Sequence, residues 1–142
     1  MKKITSKNVK KTVLFICKHN STRSQMAEGL LKSTHSDLYD VYSAGTHPGT
    51  LNQFAVKVMD EVKVDISRNH SKSLKEFAGV EFDYVVTVCS KEGESCPFFP
   101  GGKNYIHQSF EDPTVFDGGD DEIITVFRRV RDEIGEWIKE TF

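Results

Sequence analysis

The chain has 142 residues, of which 37% are hydrophobic, and its 19 basic and 21 acidic residues leave a formal net charge of −2. This balance is typical of a globular domain, and it excludes a disordered chain and a general nucleic-acid-binding protein. Three cysteines are too few for a secreted disulfide framework. No apolar run approaches the ~20 residues of a membrane-spanning helix. We therefore expect one cytoplasmic domain over residues 1–142, with residues 1–11 as a flexible tail and with reduced thiols.

The first half of the chain alternates between strand and helix patterns. Residues 13–16 form a short continuous apolar run, which is typical of a strand buried on both faces. Residues 24–34 place apolar side chains at helical spacing without a proline, which predicts an amphipathic helix. A second strand is predicted over residues 41–44, and Asn52 is a suitable N-cap for a second helix.

The second half continues this alternation. It predicts a short helix at residues 73–78, a central strand at 82–88, a weaker strand at 105–106 and a long helix at 120–140. Alternating strands and helices predict an α/β fold with a parallel sheet. Ligands of such sheets bind beyond the carboxyl ends of the strands, which is where Cys17 and Cys89 both stand.

The loop between the first strand and the first helix is suited to a tetrahedral oxyanion. Its sequence CKHNSTRS fits C-x5-R-S, so backbone N–H groups and the positive end of the following helix can face an anion. Arg23 offers a planar fork for two oxygens, and the same field favours a thiolate at Cys17, to which Ser24 can donate a hydrogen bond. The alternative is a buried cysteine followed by a surface arginine. The predicted oxyanion-binding residues are Lys18, His19, Asn20, Ser21, Thr22, Arg23 and Ser24.

Cys89 and Cys96 lie seven positions apart after the predicted central strand. They could be two inert thiols or half of a zinc site, but zinc usually takes four ligands and the chain has no second cysteine pair. A redox pair fits better, because the intervening segment contains Gly93 and small polar residues that can rearrange to bring the sulfurs together.

Two segments, VLFICKHNSTRSQMAEGLL and VVTVCSKEGESCPFFPG, resemble the low-molecular-weight protein tyrosine phosphatase fold family, and above all its thioredoxin-coupled arsenate reductases. The resemblance runs from Val13 to the last helix. It implies a low-molecular-weight phosphotyrosine phosphatase-like fold, with a four-stranded parallel sheet flanked by helices on both faces. It also implies arsenate as substrate, a role in arsenic detoxification, thioredoxin as reductant and no cofactor, and we expect a monomer.

The residues FEDP at 110–113 follow the last predicted strand. The family carries its general acid as Asp-Pro in such a loop, and Asp112 matches it, with Glu111 as a fallback. A carboxylic acid is suited to protonating an oxygen that leaves as a thiolate attacks. The alternative is a plain Asp-Pro turn. A phosphatase would normally have an aromatic residue soon after this acid, whereas Thr114, Val115 and only then Phe116 follow here, which weakens the phosphatase interpretation.

The resemblance implies a relay of three thiols. Cys17 attacks arsenic, Cys89 attacks the Cys17 sulfur as arsenite leaves, and Cys96 then forms a disulfide with Cys89 that thioredoxin reduces. Two alternatives remain open. One is a low-molecular-weight phosphotyrosine phosphatase in which Cys89 and Cys96 are idle. The other is a non-catalytic oxyanion-binding or redox-sensing module, which would not need the acid.

Some arsenate reductases of this family hold a monovalent cation beside the oxyanion loop. Asn20, Glu28 and Ser43 match residues of that site, but Ser73 stands where the pattern expects an acid. The structural alternative is that Asn20 and Glu28 brace the loop and the helix. The histidines show no metal-ligand spacing, so we predict no metal site.

Overall fold

Four parallel strands form one sheet in the order β2-β1-β3-β4 in the computed structural model, which describes residues 10–89 and 98–142. The strands are β1 (Lys11–Cys17), β2 (Tyr39–Gly45), β3 (Phe82–Thr87) and β4 (Gly102–His107). The helices are α1 (Arg23–His35), α2 (Gln53–Glu61) and α3 (Asp120–Thr141), with short 3₁₀ helices at Leu74–Phe77 and Pro113–Val115. The predicted α/β class and the four-stranded parallel sheet are confirmed.

Each predicted element is present, with ends that differ from the prediction by a few residues. β1 begins at Lys11, at the end of the segment predicted as a tail, and residues 1–9 of that segment lie outside the described residues. β4 has six residues where two were predicted. It is an edge strand with several exposed polar side chains, so its sequence lacks the apolar run that marks β1.

The central strand β1 is buried on both faces, as its apolar run predicts. Val13 and Phe15 belong to one hydrophobic cluster and Leu14 and Ile16 to the other, and all four side chains are 0% exposed. This division follows from the alternation of side chains along a strand. β1 therefore contributes to a hydrophobic layer on each face of the sheet, and the layer that contains Val13 and Phe15 is the larger one.

The larger layer is formed with α1, α2 and α3. α1, α2 and α3 contribute Met26, Ala55 and Phe127, among others, to the cluster that includes Val13 and Phe15. The opposite face is covered by the 3₁₀ helix Leu74–Phe77 and by Phe99. Helical elements thus lie on both faces of the sheet, but the long ones share a single face.

Asn52 caps α2 as predicted: its Oδ1 accepts hydrogen bonds from the backbone N–H groups of Phe54 (2.8 Å) and Ala55 (3.2 Å). Two arginines of α3 contact α2. The Arg131 side chain is 11% exposed and donates to Val58 O and to Glu61, which also pairs with Arg128. These contacts tie α2 to α3 because the two helices lie side by side over the sheet.

The parallel arrangement brings the carboxyl ends of the strands to one edge of the sheet. Cys17 ends β1 beside Gly45, which ends β2. On the other side, Val88 N donates to Ile16 O (3.0 Å), which continues the β1–β3 pairing beyond Thr87. The segment that follows β4 leads from the same edge to Asp112. Among the described residues, none of the helices combines the length and apolar character needed to cross a bilayer.

Candidate active site

The oxyanion loop, residues 17–24, begins at the buried Cys17 and passes into α1 at Arg23. Four of its carbonyl groups accept hydrogen bonds from outside the loop. The acceptor and donor pairs are Lys18 O with His47 N (2.8 Å), His19 O with Gly49 N (3.1 Å), Asn20 O with Ser71 Oγ (2.8 Å), and Ser21 O with Asn52 N (3.0 Å). Because C=O and N–H point in opposite directions in a planar trans peptide, the N–H groups that follow face the inside of the loop. This arrangement presents donors to an anion.

The start of α1 adds to this field. Thr22 is the N-cap residue of α1, and within the described part of the chain its side chain makes no capping hydrogen bond. Backbone N–H groups of the first turn therefore remain available to an anion. The positive end of the helix dipole points the same way. The predicted anion-binding character of residues 18–24 thus has a backbone basis in addition to Arg23.

Cys17 shares a hydrogen bond with Ser24 at the other end of the loop. Its Sγ lies 2.9 Å from Ser24 Oγ, and the Asn20 amide Nδ2 donates to that same oxygen at 2.7 Å. When Cys17 is a thiolate its sulfur can only accept, so the Ser24 hydroxyl is then the donor and its hydrogen is directed at the sulfur. A hydrogen bond to sulfur favours the thiolate, which is the form that acts as nucleophile.

Gly45 allows the loop to approach β2 closely, a role that the sequence did not reveal. A Cβ atom at Gly45 would lie 2.5 Å from Lys18 O and 2.9 Å from Cys17 O, both of which are backbone atoms that cannot rotate away. The strand predicted over residues 41–44 stops one residue before Gly45 and gives no indication of this contact. A glycine directly after a strand and opposite a Cys-led loop is the signal that could have indicated this contact.

Arg23 and Asp112 meet across the mouth of the loop. Arg23 is 3% exposed, and its Nη2 lies 3.5 Å from Asp112 Oδ2 while its Nη1 donates to Phe110 O at 3.3 Å. One small pocket is lined by Cys17, His19, Ser21, Thr22, Arg23, Asp112 and Thr114. The fold thus brings the predicted nucleophile, the predicted guanidinium and the predicted acid together, although Asp112 is 95 positions from Cys17 in the chain.

Thr114 is a second residue that sequence reasoning missed. Its Oγ1 and backbone N–H both donate to Asp112 Oδ1, at 2.6 Å and 3.0 Å, which leaves Oδ2 on the side of Arg23. The motif Asp-Pro-Thr is a signal for such a turn, since Asp side chains bond to backbone two residues ahead. Glu111, the fallback acid, instead pairs with Arg129 on α3 at 2.7 Å.

Cys89 is buried and follows β3 at the same edge as Cys17. The β1–β3 register pairs Ile16 with Thr87, so one further step sets Cys17 opposite Val88, and Cys89 is the next residue. The backbones that carry the two cysteines are therefore neighbours. Cys96 lies outside the described residues, so the predicted Cys89–Cys96 pairing stays a prediction.

The residues matched to a cation site are bonded within the protein. Ser43 Oγ donates to Glu28 Oε1, and Lys32 Nζ lies 2.8 Å from Glu28 Oε2. Asn20 Oδ1 accepts from Lys72 N (2.9 Å). Burial lowers the pKa of the Lys72 ammonium, while the nearby Glu28 carboxylate acts in the opposite direction. Lys32 supplies positive charge at Glu28, and no cluster of three His, Cys, Asp or Glu side chains suits a metal within residues 10–89 and 98–142.

Comparison with known proteins places this site in a family. The model of the low molecular weight phosphotyrosine protein phosphatase family matches residues 12–142. An arsenate reductase of Halalkalibacterium halodurans is 45% identical over 130 residues, which cover 92% of this chain and 94% of that protein.

Solved structures agree with these sequence matches. An arsenate reductase in the phosphate binding state has a TM-score of 0.77 and 32% identity, with 92% of this chain and 95% of that chain covered. A thioredoxin-dependent arsenate reductase of Corynebacterium glutamicum has a TM-score of 0.63 and 30% identity, with 94% of this chain and 64% of that chain covered.

These likenesses span the whole sheet and α3 as well as the oxyanion loop, so they cannot come from a short shared motif. Both the family model and the sequence relative include the loop after β4 that carries Asp112. The chain therefore belongs to the low molecular weight phosphotyrosine protein phosphatase family, in the branch that contains its arsenate reductases.

Proposed function

We propose that the chain is an enzyme that reduces arsenate to arsenite, with Cys17 as the nucleophile and with Cys89 and Cys96 carrying the oxidation away. The observation that carries this proposal is the single pocket in which a buried thiol, Arg23 and Asp112 meet over an anion-facing loop. Family membership supports arsenate as the substrate, because relatives of similar length are arsenate reductases.

The first step forms a bond between sulfur and arsenic. Arsenate lies in the loop, where backbone N–H groups and the Arg23 guanidinium neutralise its oxygens. The Cys17 thiolate attacks arsenic as one oxygen leaves, and Asp112 delivers the proton that lets this oxygen depart as water. Arsenic is still pentavalent in the resulting Cys17 adduct, so no electrons have yet been transferred.

The second step is the reduction itself. The Cys89 thiolate attacks the Cys17 sulfur, a disulfide forms, and the sulfur–arsenic bond breaks with its electron pair passing to arsenic. Arsenite leaves, and the two thiols have together lost two electrons. The adjacent backbones of the strands that carry Cys17 and Cys89 support this step. Cys96 then attacks Cys89 and releases the Cys17 thiolate, a step that rests on the sequence.

The Cys89–Cys96 disulfide requires an external dithiol, and we propose thioredoxin. The thioredoxin-dependent relative from Corynebacterium glutamicum supports this choice. The proposal includes a monomeric enzyme of one domain, located in the cytoplasm and without a cofactor. A reducing compartment suits an enzyme whose proposed reaction starts from reduced thiols.

A weak phosphatase activity is the second candidate, and one observation favours it. Phosphoryl transfer requires a thiolate, an anion-binding loop and an acid, and Cys17, Arg23 and Asp112 supply all three. The wall beside Asp112 is formed by Thr114, which is too small to stack on a phosphotyrosine ring. Hydrolysis of small aryl phosphates is therefore expected to be slow.

The relay is tested by comparing two serine variants in one assay. Arsenite production is measured with thioredoxin, thioredoxin reductase and NADPH, beside hydrolysis of an aryl phosphate. Cys96→Ser should release about one arsenite per enzyme and then stop as a Cys17–Cys89 disulfide. Cys89→Ser should stop at the arsenic adduct with almost no arsenite released.

Each variant is the control of the other, because both remove one thiol and leave the phosphatase groups in place. Aryl phosphate hydrolysis should therefore persist in both. Sustained thioredoxin-coupled turnover by Cys96→Ser would contradict the three-thiol relay. If the wild-type enzyme hydrolysed aryl phosphate but produced no arsenite, the protein would be a phosphatase.

A further inference from the structure

Gln25, in the first turn of α1, has a fully buried carboxamide that the proposed reaction does not use. Its Nε2 donates to Asn20 O (3.1 Å), to Asn20 Oδ1 (3.1 Å) and to His70 O (3.0 Å). Its Oε1 accepts from Asn69 Nδ2 at 3.0 Å. Two of the acceptors are backbone carbonyls, so the amide orientation is determined by its partners.

Asn20 is the residue that this carboxamide holds. It adopts a left-handed backbone conformation with φ of 51°, which is uncommon for any residue other than glycine. Lys72 N is an unambiguous donor to Asn20 Oδ1 at 2.9 Å, so the Nδ2 group of Asn20 must face the other way. It faces Ser24 Oγ, 2.7 Å away.

The contacts then continue to the sulfur. Ser24 Oγ accepts from Asn20 and lies 2.9 Å from Cys17 Sγ. A thiolate at Cys17 can only accept, so the single Ser24 hydrogen is directed to the sulfur in that state. We infer that Gln25 is a positioning residue that acts through Asn20 and Ser24 to keep a hydrogen bond aimed at the Cys17 thiolate. Gln25 also joins this chain of contacts to the segment 69–72, which bonds Asn20 from the opposite side.

This inference rests on the proposed role of Cys17 as a nucleophile, but it is tested without arsenate. The measurement is the rate of Cys17 alkylation by iodoacetamide across pH, in a Cys89→Ser/Cys96→Ser background where Cys17 is the sole thiol. The rate at pH 7 is divided by the plateau rate at high pH, so a change in access to the sulfur cancels. If wild-type protein produced no arsenite while loss of the Gln25 carboxamide still lowered the alkylation rate, the result would count against the proposed function alone.

Gln25→Met keeps the length of the side chain and removes its hydrogen bonds. The normalised alkylation rate at pH 7 should fall about threefold to tenfold, as expected when a thiolate loses a well-aimed donor. Gln53→Met is the matched control, since Gln53 is an exposed residue on α2 whose side chain donates to Leu51 O. Its profile should match that of the parent protein.

A double-mutant cycle separates positioning from general loss of packing. If Gln25 acts through Asn20, Gln25→Met should add little in an Asn20→Ala background, whereas independent effects would multiply. Should Gln25→Met fail to fold by circular dichroism, Asn69→Ala decides, because it removes one contact to Gln25 and should lower the rate in the same direction. An unchanged profile in the folded variant, or independent effects in the cycle, would overturn the inference.

Discussion

The two halves of the candidate site are held in different ways. The oxyanion loop, residues 17–24, is bonded through its backbone to two distant segments, and Asn20 and Ser24 are 0% exposed. In the acid loop, residues 108–116, Phe110 is buried, but Asp112 and Glu111 make exposed contacts: the turn at Thr114 and the Glu111–Arg129 ion pair, whose side chains are each 47% exposed. Water competes with the second set of contacts far more than with the first.

This difference separates two tasks. An anion-binding loop stabilises charge best when its donors are already in place before the reaction, so deep bracing serves it. An acid has to approach a leaving oxygen and exchange its proton with water, and the Asp112 side chain is 20% exposed, which suits that exchange. Substitutions in the two halves should therefore separate binding from proton transfer.

The largest effect is expected at the acid. Asp112→Asn should slow formation of the arsenic adduct by ~10²–10⁴-fold, because an amide cannot deliver the proton. Binding of phosphate as a non-reacting oxyanion should change little, since the loop and Arg23 remain. Rapid-quench single-turnover assays and calorimetric titration give the two quantities. Full activity in Asp112→Asn would mean that water or another group supplies the proton.

An effect on binding is expected at Gly45. Gly45→Ala puts a methyl group against Lys18 O and Cys17 O, so the loop or β2 must shift. We expect oxyanion affinity to fall about tenfold and the free energy of unfolding to fall by about 1–3 kcal/mol, as for overpacking. Gly135→Ala in α3 is the control, because its nearest neighbour outside the helix is Leu30 Cδ1 at 4.0 Å. If the two variants had the same oxyanion affinity and the same free energy of unfolding, the close approach at Gly45 would not be needed for binding.

A smaller effect is expected at the rim of the acid loop. Glu111→Gln breaks an exposed ion pair with Arg129, so the single-turnover rate should change by no more than about threefold and stability by ~0.5 kcal/mol. Glu133→Gln is the matched control, since Glu133 contacts the same arginine but lies on α3. A rate loss as large as that of Asp112→Asn would show that Glu111 is the acid.

The smallest effect on activity is expected outside both loops, at Glu61. Hydrogen bonds from Arg128 above all lower the pKa of Glu61 to about 2, from its ordinary value of 4.5. The folded state thus favours the carboxylate, and its stabilisation is complete above pH 4.5 and lost as the pH falls toward 2. The free energies of unfolding of wild type and Glu61→Gln, measured with urea, should differ at pH 7, and this difference should be smaller at pH 3. A constant difference would exclude this linkage.

The sequence was sufficient for the features that depend on neighbouring residues. The apolar run of β1, the Asn52 cap and the strand–loop–helix order around Cys17 are local, so they can be predicted without knowledge of the fold. Asp112 was identified through a family resemblance, because its distance from Cys17 hides any direct relation between them. β4 was underestimated since an edge strand with polar side chains lacks the apolar pattern.

Other features were decided by contacts between segments far apart in the chain. Gly45 is needed because β2 lies against the loop that follows β1, and the structure shows this as a distance between backbone atoms. Gln25 and Lys72 hold Asn20 across a buried interface, yet in the sequence they are ordinary polar residues. The chemical groups of the site were thus determined by local sequence, whereas their orientation came from tertiary hydrogen bonds, because the direction of a buried donor is set by whichever segment packs against it.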